Sequence, residues 1–203
     1  MVQIVLADKC GWIRDNEGPP VMHPTLRELE LSLPELERSP VQRGVIEMIC
    51  SRPTASRRQI LTEAELDPEQ GMVGDDWVRR FCKRTEDGSP HRGMQMAIMN
   101  SRVAHAVSGD RARWALAGDQ LFVDFDLAAD RMVPGARLAV GDAVVQVTDM
   151  PHTGCAKFAK RFGADALRFL NSPRGRAMNM RGIFVEIVTG GTVRVGDSIE
   201  VVS

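Results

Sequence analysis

Apolar residues along this chain gather in short runs broken by Gly, Pro and Asp, the punctuation of turns. Val45 to Cys50 and Ile183 to Val188 are such runs, each with one charge inside it, and both predict strands. Met96 to Met99 predicts a buried strand. Two stretches of the C-terminal half, 134–147 and 190–202, resemble each other. Each sets a Val-Gly-Asp turn between short strands, at Val140-Gly141-Asp142 and Val195-Gly196-Asp197. Gly-Asp supplies the backbone freedom of a tight hairpin, and Val145/Val147 and Ile199/Val201 fall on one face of their strands. Val73-Gly74-Asp75 is a weaker third copy. Two clear copies are too few for a solenoid or propeller.

Helical spacing lies between the two copies. Phe158 and Phe162 are four apart, and Leu167 and Leu170 three apart. They predict helices over 155–162 and 165–171, separated by Gly163, the second ended by Ser172-Pro173. Asn100 or Ser101 caps a helix reaching Val107. Gly109-Asp110 ends it and starts another turn, through Trp114 and Leu116. Residues 1–40 form a helical lead-in: Thr25 and Glu28 make a capping box, Pro34 opens a second turn and Ser39-Pro40 closes the segment. From 41 to 203 the chain reads as one domain. Its acidic stretch from Glu63 to Asp76 has six carboxylates and no Lys or Arg. With Asp67-Pro68 and Gly71 in it, that stretch reads as a surface loop. Hairpins spread along one chain, with helices between them, predict a mostly β fold, a closed or nearly closed β-barrel with peripheral α-helices.

Composition narrows the function classes. A chain of 203 residues with net charge −1 buries roughly 70% of its unfolded surface and needs no disulfide or metal staple. The charge balance argues against a general nucleic-acid or membrane binder. No apolar run approaches a membrane span. The N-terminal residues lack the basic start and long apolar stretch of a signal peptide. Cys10, Cys50, Cys82 and Cys155 are far apart, which excludes a zinc ribbon or C-x-x-C redox pair. Free thiols in a reducing, cytoplasmic compartment are the expectation. His23, His91, His105 and His152 show no ligand spacing. There is no phosphate-cradling G-x-x-x-x-G-K-[ST] loop, G-x-G-x-x-G or G-x-S-x-G elbow.

The candidate chemistry is concentrated in Met150-Pro151-His152-Thr153-Gly154-Cys155-Ala156-Lys157-Phe158. Cys155 falls at or just before a helix N-terminus, where unpaired N–H groups favour an anion, and Lys157 adds positive charge. A thiolate so placed can serve as nucleophile, persulfide carrier or soft metal ligand. The competing reading is a small buried hydrophobe, which fits Cys10, Cys50 and Cys82 better. His152 either orients or protonates a ligand or is a satisfied loop histidine. From Cys155 to Arg181 there are seven basic residues against the single Asp165, a local net charge of +6. The stretch is either an anion pocket suited to phosphate or a solvated face answering the acidic stretch. Arg181, just before Gly182 and a buried-looking strand, is placed to point into a cavity.

Leu116-Ala117-Gly118-Asp119-Gln120-Leu121-Phe122-Val123-Asp124 resembles the "GDNL"-like segment of the MOSC domain family. Ala143 to Phe158 resembles the segment bearing that family's cysteine, and Gly182 to Ile187 and Gly196-Asp197 also fit. The likeness runs from about Arg43 to the end. It implies a barrel of the MOSC, pyruvate-kinase-barrel-like type and a molybdenum cofactor (molybdopterin) as ligand. Cys155 matches the position that ligates molybdenum or carries sulfur, with His152 beside it as a catalytic candidate. Asn100, Arg102, Thr153, Lys157 and Arg181 are the accompanying cofactor-binding candidates, from charge and placement near matching segments. Reduction of N-oxygenated compounds is the leading activity, persulfide transfer the alternative, and a non-catalytic anion-binding barrel the rival reading from charge alone. The chain departs from the family in lacking a His-Gly-Gly run, with Gly74-Asp75-Asp76-Trp77 near that place. No pyridoxal-phosphate lysine, ferredoxin-like domain or flavin motif is identifiable, so a separate reductase or cysteine desulfurase would supply electrons or sulfur. Neither nucleic acid nor membrane is an expected partner.

Overall fold

The computed structural model describes residues 12–14 and 22–202; Cys10 and most of the segment before 22 lie outside them. The strands in chain order are β1 (Trp12–Arg14), β2 (Arg43–Thr54), β3 (Arg57–Leu61), β4 (Glu63–Asp67), β5 (Gly71–Met72), β6 (Met96–Asn100), β7 (Leu121–Asp124), β8 (Arg137–Val140), β9 (Ala143–Val147), β10 (Ile183–Thr189), β11 (Gly191–Arg194) and β12 (Ser198–Val202). The order β2-β12-β8-β9-β10-β6-β7, with β7 pairing back on β2, closes a seven-stranded barrel. Every pair in the ring is antiparallel except β6–β7, where Ile98 lies opposite Leu121. Strands β3 and β1 extend from β2, and β11, β4 and β5 form a separate small sheet.

The period of two decides which residues fill the barrel. Ile46, Ile98, Leu121, Val123, Val145, Val185 and Ile199 point inward as one core. Met48, Met99 and Phe122 point outward and are covered by helices. Closure leaves the barrel strands no free edge.

The helices are α1 (Leu26–Leu31), α2 (Leu33–Leu36), α3 (Ser101–Ser108), α4 (Ala156–Phe162), α5 (Ala164–Asn171) and α6 (Pro173–Ala177). The Thr25–Glu28 capping box forms, and Asn100 caps α3 by accepting from the N–H groups of Arg102 and Val103. Leu29 and Leu36 of the lead-in are buried in the helical core with Phe158, Phe162 and Phe169. Residues 26–36 of the lead-in therefore pack on the barrel wall, while its described residues 12–14 form a strand, β1, rather than helix. None of the described helices is long and apolar enough to cross a membrane.

Two expectations are corrected. The acidic stretch is not a loop throughout: Glu63 and Glu65 face solvent while Ala64 and Leu66 alternate inward, giving strand β4. Six carboxylates masked a two-residue period. The Val-Gly-Asp copies also differ. Gly141, at φ 56°, turns a hairpin between β8 and β9 with Val140 opposite Ala143. The second copy is a corner, because β11 pairs with β4 while β12 pairs with β2 and β8. The two turns touch: Gly141 N–H donates to Ser198 O, and the Asp142 N–H to Thr192 O.

Candidate functional site

Strand β9 ends at Val147, and residues 148–155 carry the chain to α4. Thr148 fastens the start, its hydroxyl donating to Gly93 O at 2.7 Å. His152 turns inward and lies against Phe184 of β10, ring centroids 4.1 Å apart. Pro151 and Thr153 are exposed. Gly154 is held by Asn171 of α5, whose Oδ1 accepts from Gly154 N–H at 3.0 Å and whose Nδ2 donates to Gly154 O at 3.2 Å. Cys155 follows as the N-cap of α4; its side chain makes no capping bond and it is exposed. Among the described cysteines it is the candidate for encounter chemistry. Cys50 is fully buried, with its thiol pushed up to about 12 by burial, and Cys82 is half-buried with Sγ accepting from Arg84 N–H.

Behind the cysteine segment lies a buried charge cluster. Arg181 Nη1 donates to both oxygens of Asp119, at 2.9 and 2.7 Å, and its Nη2 donates to Ala117 O at 2.9 Å. Its guanidinium sits 5.2 Å from the ring centroid of Phe158, one turn along α4 from Cys155. His152 Nδ1 is 3.7 Å from Asp119 Oδ1, too far for a hydrogen bond. Burial, then the charges of Arg181 and Arg52, hold the His152 imidazole well below its ordinary range, so it is neutral at pH 7. Burial pushes the Asp119 carboxyl up, against the pull of Arg181. His152 Nδ1 and Arg181 Nε are buried without a partner among the described residues.

Three arginines converge on one stretch of backbone. A 3-10 helix, Arg111–Ala117, ends just before Asp119. Its terminal carbonyls and the next one have no helical partner. Leu116 O accepts from Arg161, Ala117 O from Arg181 and Gly118 O from Arg52. Arg52 is itself paired with buried Asp75, Nε to Oδ2 at 3.0 Å. Burial would raise the Asp75 carboxyl, but the charge and hydrogen bonds of Arg52 hold it below its usual range.

The predicted site residues divide into two groups. His152, Thr153, Cys155, Lys157 and Arg181 lie on the cysteine segment, α4 and the Asp119 cluster. Asn100 and Arg102 are attached at the other end of β7. Asn100 Nδ2 donates to Ser39 Oγ and Phe125 O, both at 2.8 Å. Arg102 makes a two-point pair with Asp124, at 2.7 and 2.9 Å, and reaches Glu35 of the lead-in. Both hold the lead-in to the barrel, and their polar groups are occupied. Arg181 does not project into an open cavity but is paired within the wall. Asp119 and Asn171 are the positions that sequence reasoning did not single out. An acid between the apolar runs of Trp114–Leu116 and Leu121–Val123 was the signal for Asp119. For Asn171 the signal was its spacing of four from Leu167, on the helix face that meets Gly154.

The positive pool is thinned by pairing. Arg168 pairs with Asp165 and Arg174 with Glu37, while Arg161 and Arg181 serve backbone carbonyls. Lys157, Lys160 and Arg176 are exposed and have no ion pair among the described residues. The acidic stretch is answered elsewhere, by Arg194 on Glu63, Arg92 on Glu69, Arg52 on Asp75 and Arg80 on Asp76. No group of three or more His, Cys, Asp or Glu among the described residues could hold a bare metal ion. An open cleft of about 460 Å³ lined by Trp77, Val78, His91 and Arg92 does not include the cysteine.

Comparison with known proteins identifies the family of this fold. The MOSC domain family model matches residues 95–200. The YuaD protein from Bacillus subtilis is similar in structure, with 17% identity, TM-score 0.58, and 78% of this chain and 95% of that one covered. YiiM from Escherichia coli is similar at 16% identity and TM-score 0.50, covering 78% of this chain and 70% of that one. At such identities these likenesses concern the fold. No curated protein matches the chain.

Proposed function

The chain belongs to the MOSC domain family, a family associated with the molybdenum cofactor, and from that premise we propose that it binds a molybdenum–pterin cofactor at Cys155. The observation that carries the reading is the exposed thiol of Cys155, free of any capping bond, on a helix that also bears unpaired Lys157 and Lys160. The donor set suits the group. One soft thiolate complements a metal that arrives with its own sulfur chelate, whereas a bare ion would need the multi-ligand cluster that is absent among the described residues. Lys157, Lys160 and Arg176 are cations available to a phosphate. Arg181 Nε and His152 Nδ1, buried and unpartnered, add hydrogen-bonding capacity behind the cysteine.

In this reading Cys155 Sγ holds the metal, and the exposed cations bind the phosphate. Neutral His152 keeps a polar edge at the site without adding charge. When bound, the cofactor supplies two-electron oxygen-atom transfer, and reduction of N-oxygenated compounds with electrons from a separate reductase is the activity we assign. Cys155→Ser protein loaded under the same conditions as wild type is expected to lose N-oxide reduction driven by an artificial electron donor. Full activity in that variant would overturn the assignment. The exposure of Cys155 favours a second reading, in which the thiol carries a persulfide to an acceptor. It predicts a gain of one sulfur on Cys155 after incubation with a cysteine desulfurase and cysteine, and no adduct would count against it.

A further inference from the structure

We propose that Asn171 is the positioning residue of Cys155, an inference that rests on the thiol being the working group of the site. Gly154 passes so close to α5 that a Cβ there would lie 2.6 Å from Leu167 Cδ1 and 3.5 Å from both polar atoms of the Asn171 carboxamide. A side chain at 154 would push on Leu167, so glycine lets the backbone lie against the amide without displacing it. That one carboxamide then satisfies both polar groups of Gly154, accepting its N–H at 3.0 Å and donating to its carbonyl at 3.2 Å. The two contacts fix the planar peptide units on either side of Gly154, and the second of those units contains the nitrogen of Cys155.

The clamp is mounted on a rigid support. Asn171 is the last residue of α5, whose Ala166, Phe169 and Leu170 are buried. Asp165 at the other end of that helix accepts from Leu26 N–H of α1 at 3.1 Å. The second anchor of the segment is the His152 ring on Phe184. Between and beyond these anchors Pro151, Thr153 and Cys155 are exposed; the Cys155 carbonyl accepts from Ala159 N–H at 3.0 Å on the helix side, and the carboxamide is the side-chain hold on the loop side. Neither Asp nor Leu can substitute at neutral pH. A carboxylate accepts from the Gly154 N–H but repels the Gly154 carbonyl, and Leu offers neither contact.

A nitroxide label on Cys155, in a background with Cys10→Ser and Cys82→Ser, reads this directly and without cofactor. The wild-type chain is expected to give a broad, restricted line. Asn171→Leu, of similar volume, should narrow it to a mobile line, and Asn171→Gln, which keeps a carboxamide, should restore part of the breadth. Where Asn171→Leu fails to fold, Asn171→Asp takes its place, with Gly154 N–H still protected from exchange but the label mobile. A broad line in Asn171→Leu, or equal narrowing in the Leu and Gln variants, would overturn the proposal. In cofactor-loaded protein Asn171→Leu is expected to lower affinity by about tenfold to a hundredfold, as for other residues that orient a metal ligand. Failure of wild type to load would sink the cofactor reading and leave the line-shape result standing.

Discussion

Arg181 and Asp119 form a two-oxygen ion pair with no exposure of the carboxylate, and the same guanidinium rests on Phe158 of the helix that begins after Cys155. The pair therefore joins the start of β10, the approach to β7 and the first turn of α4. A buried pair contributes less through its own attraction than it costs when one partner is removed. Asp119→Asn would leave the guanidinium buried against a neutral amide. We expect a loss of about 3–5 kcal/mol in urea unfolding, and a similar loss for Arg181→Met. A loss below 1 kcal/mol, on the order of that for a surface pair, would show that the cluster is solvated.

The neutral His152 behind the cysteine makes stability depend on pH. Its folded value lies well below its ordinary one, chiefly from burial and then from Arg181 and Arg52. The unfolded chain takes up the proton first, so protonation favours unfolding. Stability should be full above about pH 6.5 and fall as pH drops through and below it. Asp75, held low by Arg52, adds its loss only near pH 4, about the ordinary carboxylate value. His23 shifts in the same direction as His152, from slight burial and Arg113, so a small residual slope belongs to it. Melting temperatures of wild type and His152→Phe between pH 7.5 and 5.5 test this. The variant, which keeps a ring for Phe184, should lose most of the slope.

Asn100 and Arg102 should behave as structural residues. Asn100→Ala removes a cap and leaves Ser39 and the Phe125 carbonyl without their donor. A loss of about 1–2 kcal/mol is expected. Metal content of the folded fraction should match wild type, since Asn100 is fastened at the far end of β7 from Asp119. A specific loss of cofactor at unchanged stability would return Asn100 to the site.

The lead-in before Pro40 contributes to the same core as α4 and α5. Leu29, 1% exposed, sits with Phe162 and Phe169. Leu29→Ala is expected to cost about 2–4 kcal/mol in chemical unfolding. An unchanged midpoint would mean that α1 is dispensable to the helical layer.

Much of this architecture was legible because local and global signals agreed. The Thr25 capping box, the Gly141 hairpin, the buried run of β6 and the helices around Phe158 and Leu170 each follow from spacing alone. Strand β4 was hidden because charge outweighed alternation: two of three Glu and Asp side chains at 63–67 are on the solvent face, while Ala64 and Leu66 supply the packing. The corner at Val195-Gly196-Asp197 looked like a hairpin because a turn has the same residues whichever strands it joins. Which strands pair is a long-range matter, settled here by Ile199 opposite Val140.

The candidate site was legible to the extent that its chemistry is local. Cys155, Thr153 and Lys157 are neighbours in sequence and stay together in space. Arg181 was found by charge, but its partner was not, because Asp119 is brought to it only by barrel closure. Asn171 escaped because an amide that binds backbone carries no charge, and its spacing of four from Leu167 reads only as helix. Asn100 and Arg102 stand near matching segments along the chain, but their polar groups are taken up by Ser39, Phe125, Asp124 and Glu35.

The central claim is that Cys155 holds a molybdenum–pterin cofactor. It is tested most directly by molybdenum and pterin content per chain, in wild type and Cys155→Ala, purified gently from a host shown to load a control molybdoenzyme. Near-stoichiometric metal and pterin in wild type, lost in the variant, is the predicted result. Absence of both from wild type, or equal content in the two proteins, would contradict it.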